Sequence, residues 1–202
     1  MKVKGLIFVI SGPSGSGKTT LASNIVKDKT LRKKLRKPVS FTTRFRRSKE
    51  KNGRDYFFIS EKEFQKQRRG KKILEWTKYL GYYYATPRDF IERELKKGRH
   101  IILCLDLKGA LKVKRLYSGN TITFFIMPPS LRELHKRIKK RCKRTKHEEV
   151  RRRLGLARRE IQAARRYDYC LVNKNLREVT GRLKRIILNK ISREEKGKLC
   201  LT

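Results

Sequence analysis

The sequence predicts an α/β fold: a core with a mainly parallel five-stranded sheet flanked by helices, an inserted mixed β lobe, and a basic helical segment outside the core. Three observations predict it. Apolar runs of strand length are bounded by turn residues: Gly5-Leu6-Ile7-Phe8-Val9-Ile10, His100-Ile101-Ile102-Leu103-Cys104-Leu105 and Thr121-Ile122-Thr123-Phe124-Phe125-Ile126. Segments of helical propensity alternate with these runs. A glycine-rich turn joins the first run directly to a helix.

Composition alone points elsewhere. The chain has 202 residues, 57 Lys+Arg against 18 Asp+Glu, a formal charge of +39 and 37% hydrophobic residues. Low hydrophobicity with high net charge is the signature of disorder. The apolar runs argue against it, and a chain of this length can bury a real core. No apolar run approaches the roughly 20 residues of a membrane span. The first one leads straight into the glycine-rich turn without a small-residue cleavage site, so no signal peptide is expected. Cys104, Cys142, Cys170 and Cys200 are far apart, and His100, His135 and His147 lack paired spacing, which speaks against structural zinc and a disulfide framework. Cys200 is too near the end for a prenylation box. The expectation is a soluble, reduced, cytoplasmic protein with no membrane span.

The elements follow in order. A strand near 5–11 turns through Gly12 to Thr20 into a helix ending near Asp28. Residues 38–86 differ in texture, with short β pieces (Tyr56 to Ile59, Ile73 to Tyr79, Tyr82 to Tyr84) around a polar helix at 61–69. The α/β rhythm resumes with a helix at 88–97, a strand at 100–106, a helix near 108–116 and a strand at 121–127. Residues 130–166 are helical in propensity and carry 16 Lys or Arg against 4 Glu. Cys170-Leu171-Val172 reads as the last strand, before a helix from about Leu176 to Ile191. This gives one domain: core 1–37, 87–129 and 167–202, inserted lobe 38–86, and basic helical segment 130–166.

Gly12-Pro13-Ser14-Gly15-Ser16-Gly17-Lys18-Thr19-Thr20 fits the phosphate-binding P-loop, and it lies between strand and helix as that motif requires. Its glycines let backbone N–H groups converge on phosphate oxygens, and the helix N-terminus adds partial positive charge. Lys18 can bridge the β- and γ-phosphates, and the Thr19 hydroxyl can ligate Mg²⁺. Nucleoside-triphosphate binding is therefore expected on this element, as against a plain glycine-rich turn. Asp106 ends an apolar strand, which suits a carboxylate near the metal or, equally, a helix cap.

Further motifs carry a resemblance. Ser40-Phe41-Thr42-Thr43-Arg44-Phe45-Arg46-Arg47, then Glu50-x-x-Gly53-x-Asp55-Tyr56-Phe57-Phe58, Leu74-Glu75-Trp76 and Tyr83-Tyr84-Ala85-Thr86 follow the P-loop. Pro128-Pro129-Ser130 and Val172-Asn173 continue the series to about residue 190. In order and spacing the chain resembles the guanylate kinases, P-loop nucleoside monophosphate kinases. The resemblance implies transfer of the γ-phosphoryl group of ATP to GMP, with Mg²⁺ as cofactor, and makes 38–86 the NMP-binding lobe and 130–166 a mobile lid. It implies that Arg44, Arg47, Tyr56 and Tyr84 hold the GMP phosphate, and that Ser40, Glu75, Thr86 and Asp106 read the guanine. Lys18, Arg44 and the lid residues Arg137, Arg141 and Arg153 are the implied catalytic cations. The chemistry agrees, because arginine forks suit phosphate and carboxylates suit the N1–H and N2–H₂ donors of guanine. Without the resemblance, Arg44 and Arg47 read equally as a solvated basic turn and Tyr82-Tyr83-Tyr84 as a plain strand.

Three positions depart from the family pattern. Cys104 stands where the family has an aspartate two residues before Asp106, which implies weaker Mg²⁺ binding or a double duty for Asp106. Ala85 replaces a glycine, a restriction if the site needs positive φ. Cys142 replaces a lid glycine, which predicts a stiffer lid. An active enzyme, slowed by these departures, is expected. The partners expected are ATP and GMP, with a monomer or homodimer as the assembly. The charge of +39 exceeds what the chemistry needs, so the alternative is a basic protein that associates, unspecifically, with nucleic acid on the same scaffold.

Overall fold

The structure, a computed structural model, describes residues 5–141 and 147–199, excepting the side chains of Arg141, His147 and 197–199. Its main sheet has the order β2-β7-β1-β8-β9: Leu35–Arg36, His100–Cys104, Ile7–Ser11, Thr121–Met127 and Tyr169–Val172. All four pairings are parallel. The central strand β1 is buried throughout, as expected of a parallel sheet covered on both faces. Its alternation sorts the core. Phe8 and Ile10 join Leu21, Ala22 and Ile25 of α1 (Lys18–Lys27) and Val179, Leu183 and Ile187 of α7 (Leu176–Leu199). Ile7 and Val9 join Ile91 and Leu95 of α3 (Arg88–Lys96) and Ala110 and Val113 of α4 (Leu107–Leu116).

The inserted lobe is a mixed four-stranded sheet, β4-β3-β6-β5: Phe57–Phe58, Phe41–Thr42, Tyr82–Pro87 and Ile73–Tyr79. β3 and β4 are parallel, and the other pairs antiparallel. Helix α2 (Glu61–Arg69), capped by the Ser60 hydroxyl on the Glu63 amide at 3.1 Å, covers one face. There Phe64 stacks on Tyr83 at 4.4 Å and meets Trp76 edge-on at 6.0 Å. Outside the core, α5 (Leu131–Arg141) and α6 (His147–Gln162) pack through Leu134, Ile138, Val150 and Ala157.

β5 ties lobe to core. Its register shifts between Ile73 and Glu75, so that three consecutive side chains take separate directions. Ile73 enters the lobe cluster with Phe64 and Ala85, Leu74 enters the main core, and Glu75 faces the cleft. The two-residue strands β2 and β3 carry too little pattern to be read from sequence. The last helix runs beyond Ile191, where apolar periodicity stops, because Arg193-Glu194-Glu195-Lys196 are good helix formers and Glu195 pairs with Lys34 at 2.6 Å. Cys142 lies outside the described residues, so the expected stiffening has no structural counterpart among them.

Leu74 is fully buried where the two cores adjoin. Leu74→Ala is expected to lower stability by about 2–5 kcal/mol, measured by urea denaturation. A loss below about 1 kcal/mol would mean that β5 does not anchor the lobe.

Candidate active site

The loop between β1 and α1 forms the first half of the site. Gly12 has φ 140°, and a Cβ there would lie 2.4 Å from the Ile126 carbonyl oxygen, so only glycine fits. The Ser16 amide donates to the Pro13 carbonyl at 3.0 Å and closes the turn, and Lys18 Nζ reaches the same oxygen at 3.3 Å. Ser16 Oγ is buried without a hydrogen-bond partner in the structure. Such a group costs about 1–3 kcal/mol unless a ligand engages it, and a phosphate oxygen would do so. Thr19 and Thr20 are exposed on the first turn of α1.

The loop is gripped from outside. Asn173, buried just beyond β9, donates from Nδ2 to the Ser16 carbonyl at 2.8 Å. Arg137 on α5 donates to the Asn173 carbonyl at 3.3 Å and to Glu133 at 3.0 Å. Arg153 on α6 reaches Ser14 Oγ at 3.3 Å while paired with Glu149. Two of the three expected lid arginines thus already adjoin the loop. The side chain of Arg141 lies outside the described residues.

The second half faces it from the lobe. Glu75 is only 3% exposed. Thr86, its neighbour on β6, donates its hydroxyl to Oε1 at 2.5 Å. Oε2 lies against Gly109, where a Cβ would sit 2.6 Å away, so α4 must carry glycine at the point where this carboxylate docks. Burial raises the Glu75 carboxyl to about 7; the Thr86 hydrogen bond opposes the shift, the charge of Asp106 adds to it, and the Lys112 ammonium opposes it. Asp106 caps α4, accepting the Gly109 amide at 2.8 Å. The cap reading therefore holds, and the same carboxylate also faces Glu75.

Arg44 makes a two-pronged ion pair with Glu50, both contacts at 2.9 Å, and lies 5.5 Å over the rings of Tyr56 and Phe58. The Arg47 amide also donates to Glu50, at 2.9 Å, leaving its guanidinium exposed. Tyr56 meets Tyr84 edge-on at 6.0 Å, and burial pushes its hydroxyl pKa up. Glu50 therefore organises the basic turn rather than leaving it simply solvated. Ser40 is partly buried and its carbonyl accepts the Phe57 amide at 2.9 Å.

Ala85 corrects one expectation. It is buried in β6 with no positive φ, and its methyl packs in the lobe cluster, so no glycine conformation is needed there. Cys104 supplies no anion: burial pushes its thiol pKa up, and Sγ points to the Lys18 carbonyl at 3.9 Å.

Sequence reasoning missed three side chains. Glu160 of α6 lies within electrostatic reach of Lys18 and Asp106; burial raises its carboxyl to about 6, against the pull of the Lys18 ammonium. Tyr167, raised to about 12 by burial, hydrogen-bonds Ser11. Tyr79, at the tip of β5, is likewise raised by burial and meets Arg153 and Ser14. Glu160 had a signal, being the lone acid among the arginines of 151–166.

Among the described residues no group of three or more His, Cys, Asp or Glu could hold a metal ion, and no helix is long and apolar enough to cross a membrane. A family model described as Guanylate kinase matches residues 4–190. The chain is 37% identical to a curated guanylate kinase of Bartonella henselae over 193 residues, 96% of this chain and 85% of that protein. It is 40% identical to that of Thermotoga maritima over 178 residues, 87% and 83% of the two chains. The crystal structure of guanylate kinase from Anaplasma phagocytophilum superposes with a TM-score of 0.76 at 32% identity, covering 94% of this chain and 87% of that one.

Asn173→Ala would leave the buried Ser16 carbonyl unpaired, at a cost of about 1–3 kcal/mol. Weaker binding of a nucleoside triphosphate is expected, measured by titration calorimetry. Unchanged affinity with unchanged stability would show that the loop needs no clamp.

Proposed function

This chain belongs to the guanylate kinase family and is a phosphotransferase, and we propose that it transfers the γ-phosphoryl group of ATP to GMP, giving ADP and GDP. The observation that carries the specificity is Glu75, a buried carboxylate with one oxygen bound by Thr86 and Asp106 beside it. Guanine offers N1–H and N2–H₂ to such acceptors. Adenine has no N1–H, so it would leave the buried acids unpaired, and sites that hydrogen-bond a substrate reject such analogues strongly.

The remaining residues divide by position. Gly12 to Thr20 cradle the ATP phosphates, with Ser16 Oγ and Lys18 directed to their oxygens. Arg44, Arg47, Tyr56 and Tyr84 hold the GMP phosphate, and Ser40 and Thr86 complete the guanine pocket. Arg137, Arg141 and Arg153 offset the negative charge spread over the transferring group. No general base is required, because the attacking phosphate oxygen is already ionised at neutral pH. Tyr79, at the tip of β5, meets the loop at Ser14 and α6 at Arg153.

The donor set suits Mg²⁺ carried with ATP rather than held in an all-protein cage. Mg²⁺ keeps several waters and takes most other ligands from phosphates. Thr19 and Asp106 are the residues that would hold it, with Cys104 neutral. When bound, the ion supplies charge neutralisation between the β- and γ-phosphates.

A coupled ADP-release assay with ATP, Mg²⁺ and either GMP or AMP tests this reading. Turnover with GMP and almost none with AMP is expected, and Glu75→Gln should lower kcat/KM for GMP by about 100-fold or more. No turnover with GMP would sink the kinase reading.

A further inference from the structure

We propose that the cleft on the α2 side of β5 is a second nucleotide site, taking the phosphate of a nucleotide that is neither reactant. It is a cavity of about 520 Å³ lined by Arg68, Lys71, Ile73, Trp76, Arg88 and Lys112. That volume falls within the range of about 300–1,000 Å³ typical of small-molecule sites. Four of the six lining residues are cationic and none is acidic. The cleft is built from four elements, with Arg68 ending α2, Trp76 on β5, Arg88 opening α3 and Lys112 on α4.

The cations are arranged for an anion. Arg88 Nε donates to the Lys71 carbonyl at 3.0 Å, which fixes its guanidinium at the cleft, and its Nη1 shares Glu92 at 3.3 Å. Lys71 is exposed with φ 56°, a backbone state that turns the chain sharply between α2 and β5. The Arg68 guanidinium lies 5.0 Å from the centre of the Trp76 ring, which pre-orients its fork of donors. The apolar part of the cleft, Ile73 and the Trp76 indole, suits a base or ribose. Trp76 is 36% exposed although its edge packs on Phe64.

The cleft lies on the other face of the lobe sheet from the Glu75 carboxyl. Glu75 and Trp76 are adjacent on β5 and face opposite sides of the lobe sheet, Glu75 toward Thr86 and Trp76 toward Phe64. Of the four cations only Lys112 also acts on the reactant side, where its charge lowers the Glu75 pKa. They supply a local destination for part of the +39 charge. The same chemistry would recognise a free nucleotide or one unit of single-stranded RNA.

Trp76 is the sole tryptophan of the chain, so its fluorescence reports on the cleft directly. UTP and a short oligouridylate are titrated at physiological ionic strength into the full chain, into Arg68→Gln/Lys71→Gly, and into the equally charge-reduced control Arg182→Ala/Arg185→Ala on α7. Glycine suits the positive φ of residue 71, and thermal melting checks that both variants fold. A saturable change in Trp76 emission is expected, weakened about tenfold in the cleft variant and retained in the control. A response to UTP identifies a free nucleotide as the ligand class; a response to oligouridylate alone identifies an RNA strand. No saturable response to either ligand overturns the proposal. Equal affinities in the three proteins, or equal losses in both variants, also overturn it, since binding would then lie elsewhere or reflect diffuse charge.

Discussion

The buried carboxylate of Glu75 is the constraint on which the rest of the structure depends. A carboxylate out of water must be paired or must take up a proton. Here Thr86 offers one hydrogen bond, Gly109 removes the side chain that would block its approach, and Asp106 opposes its charge. The result is a buried carboxyl whose pKa is raised to about 7. The register shift in β5 makes this placement feasible, because Ile73 and Leu74 secure the strand in two cores while the next residue turns toward Thr86.

The phosphate half is assembled by long-range contacts onto a local motif. Gly12 presses on the Ile126 carbonyl, Asn173 holds Ser16 across 157 positions, and Arg153 reaches Ser14 across 139. Strand β9 and helices α5 and α6 therefore shape a loop that already has the right residues. The charge of the chain acquires structure in the same way: Glu50 orders Arg44 and Arg47, Glu149 orders Arg153, and Glu133 orders Arg137. The few acids are spent on aiming the many bases.

The sequence carried the core legibly, because fully apolar strands and helical periodicity are local signals. The P-loop was legible for the same reason. Glu75, Thr86 and Asp106 could be named from spacing shared with a family, but not the geometry among them. Nothing local announces that Gly109 is the seat for a carboxylate 34 positions earlier, or that Asn173 clamps Ser16. The position of Ala85 shows the converse: a departure from pattern looked restrictive, yet the backbone there is ordinary extended strand. Glu160 and Tyr167 were hidden because burial, not residue type, makes them notable.

The pKa of Glu75 gives the most direct measurement. In the free protein burial pushes its carboxyl up to about 7. On the proposed reading, guanine donors would favour the ionised form and lower that pKa, so GMP affinity would be full above about pH 7 and fall as pH drops through 7 toward the bound-state value. Titration calorimetry of GMP binding at pH 7, in two buffers of different ionisation enthalpy, counts the protons released. About half a proton more per GMP is expected than from Glu75→Gln, the difference rising toward one as pH falls to 6, because the GMP phosphate titrates at about pH 6 with both proteins. Equal proton release by the protein and Glu75→Gln would contradict the account, because Glu75 would then be ionised before guanine arrives.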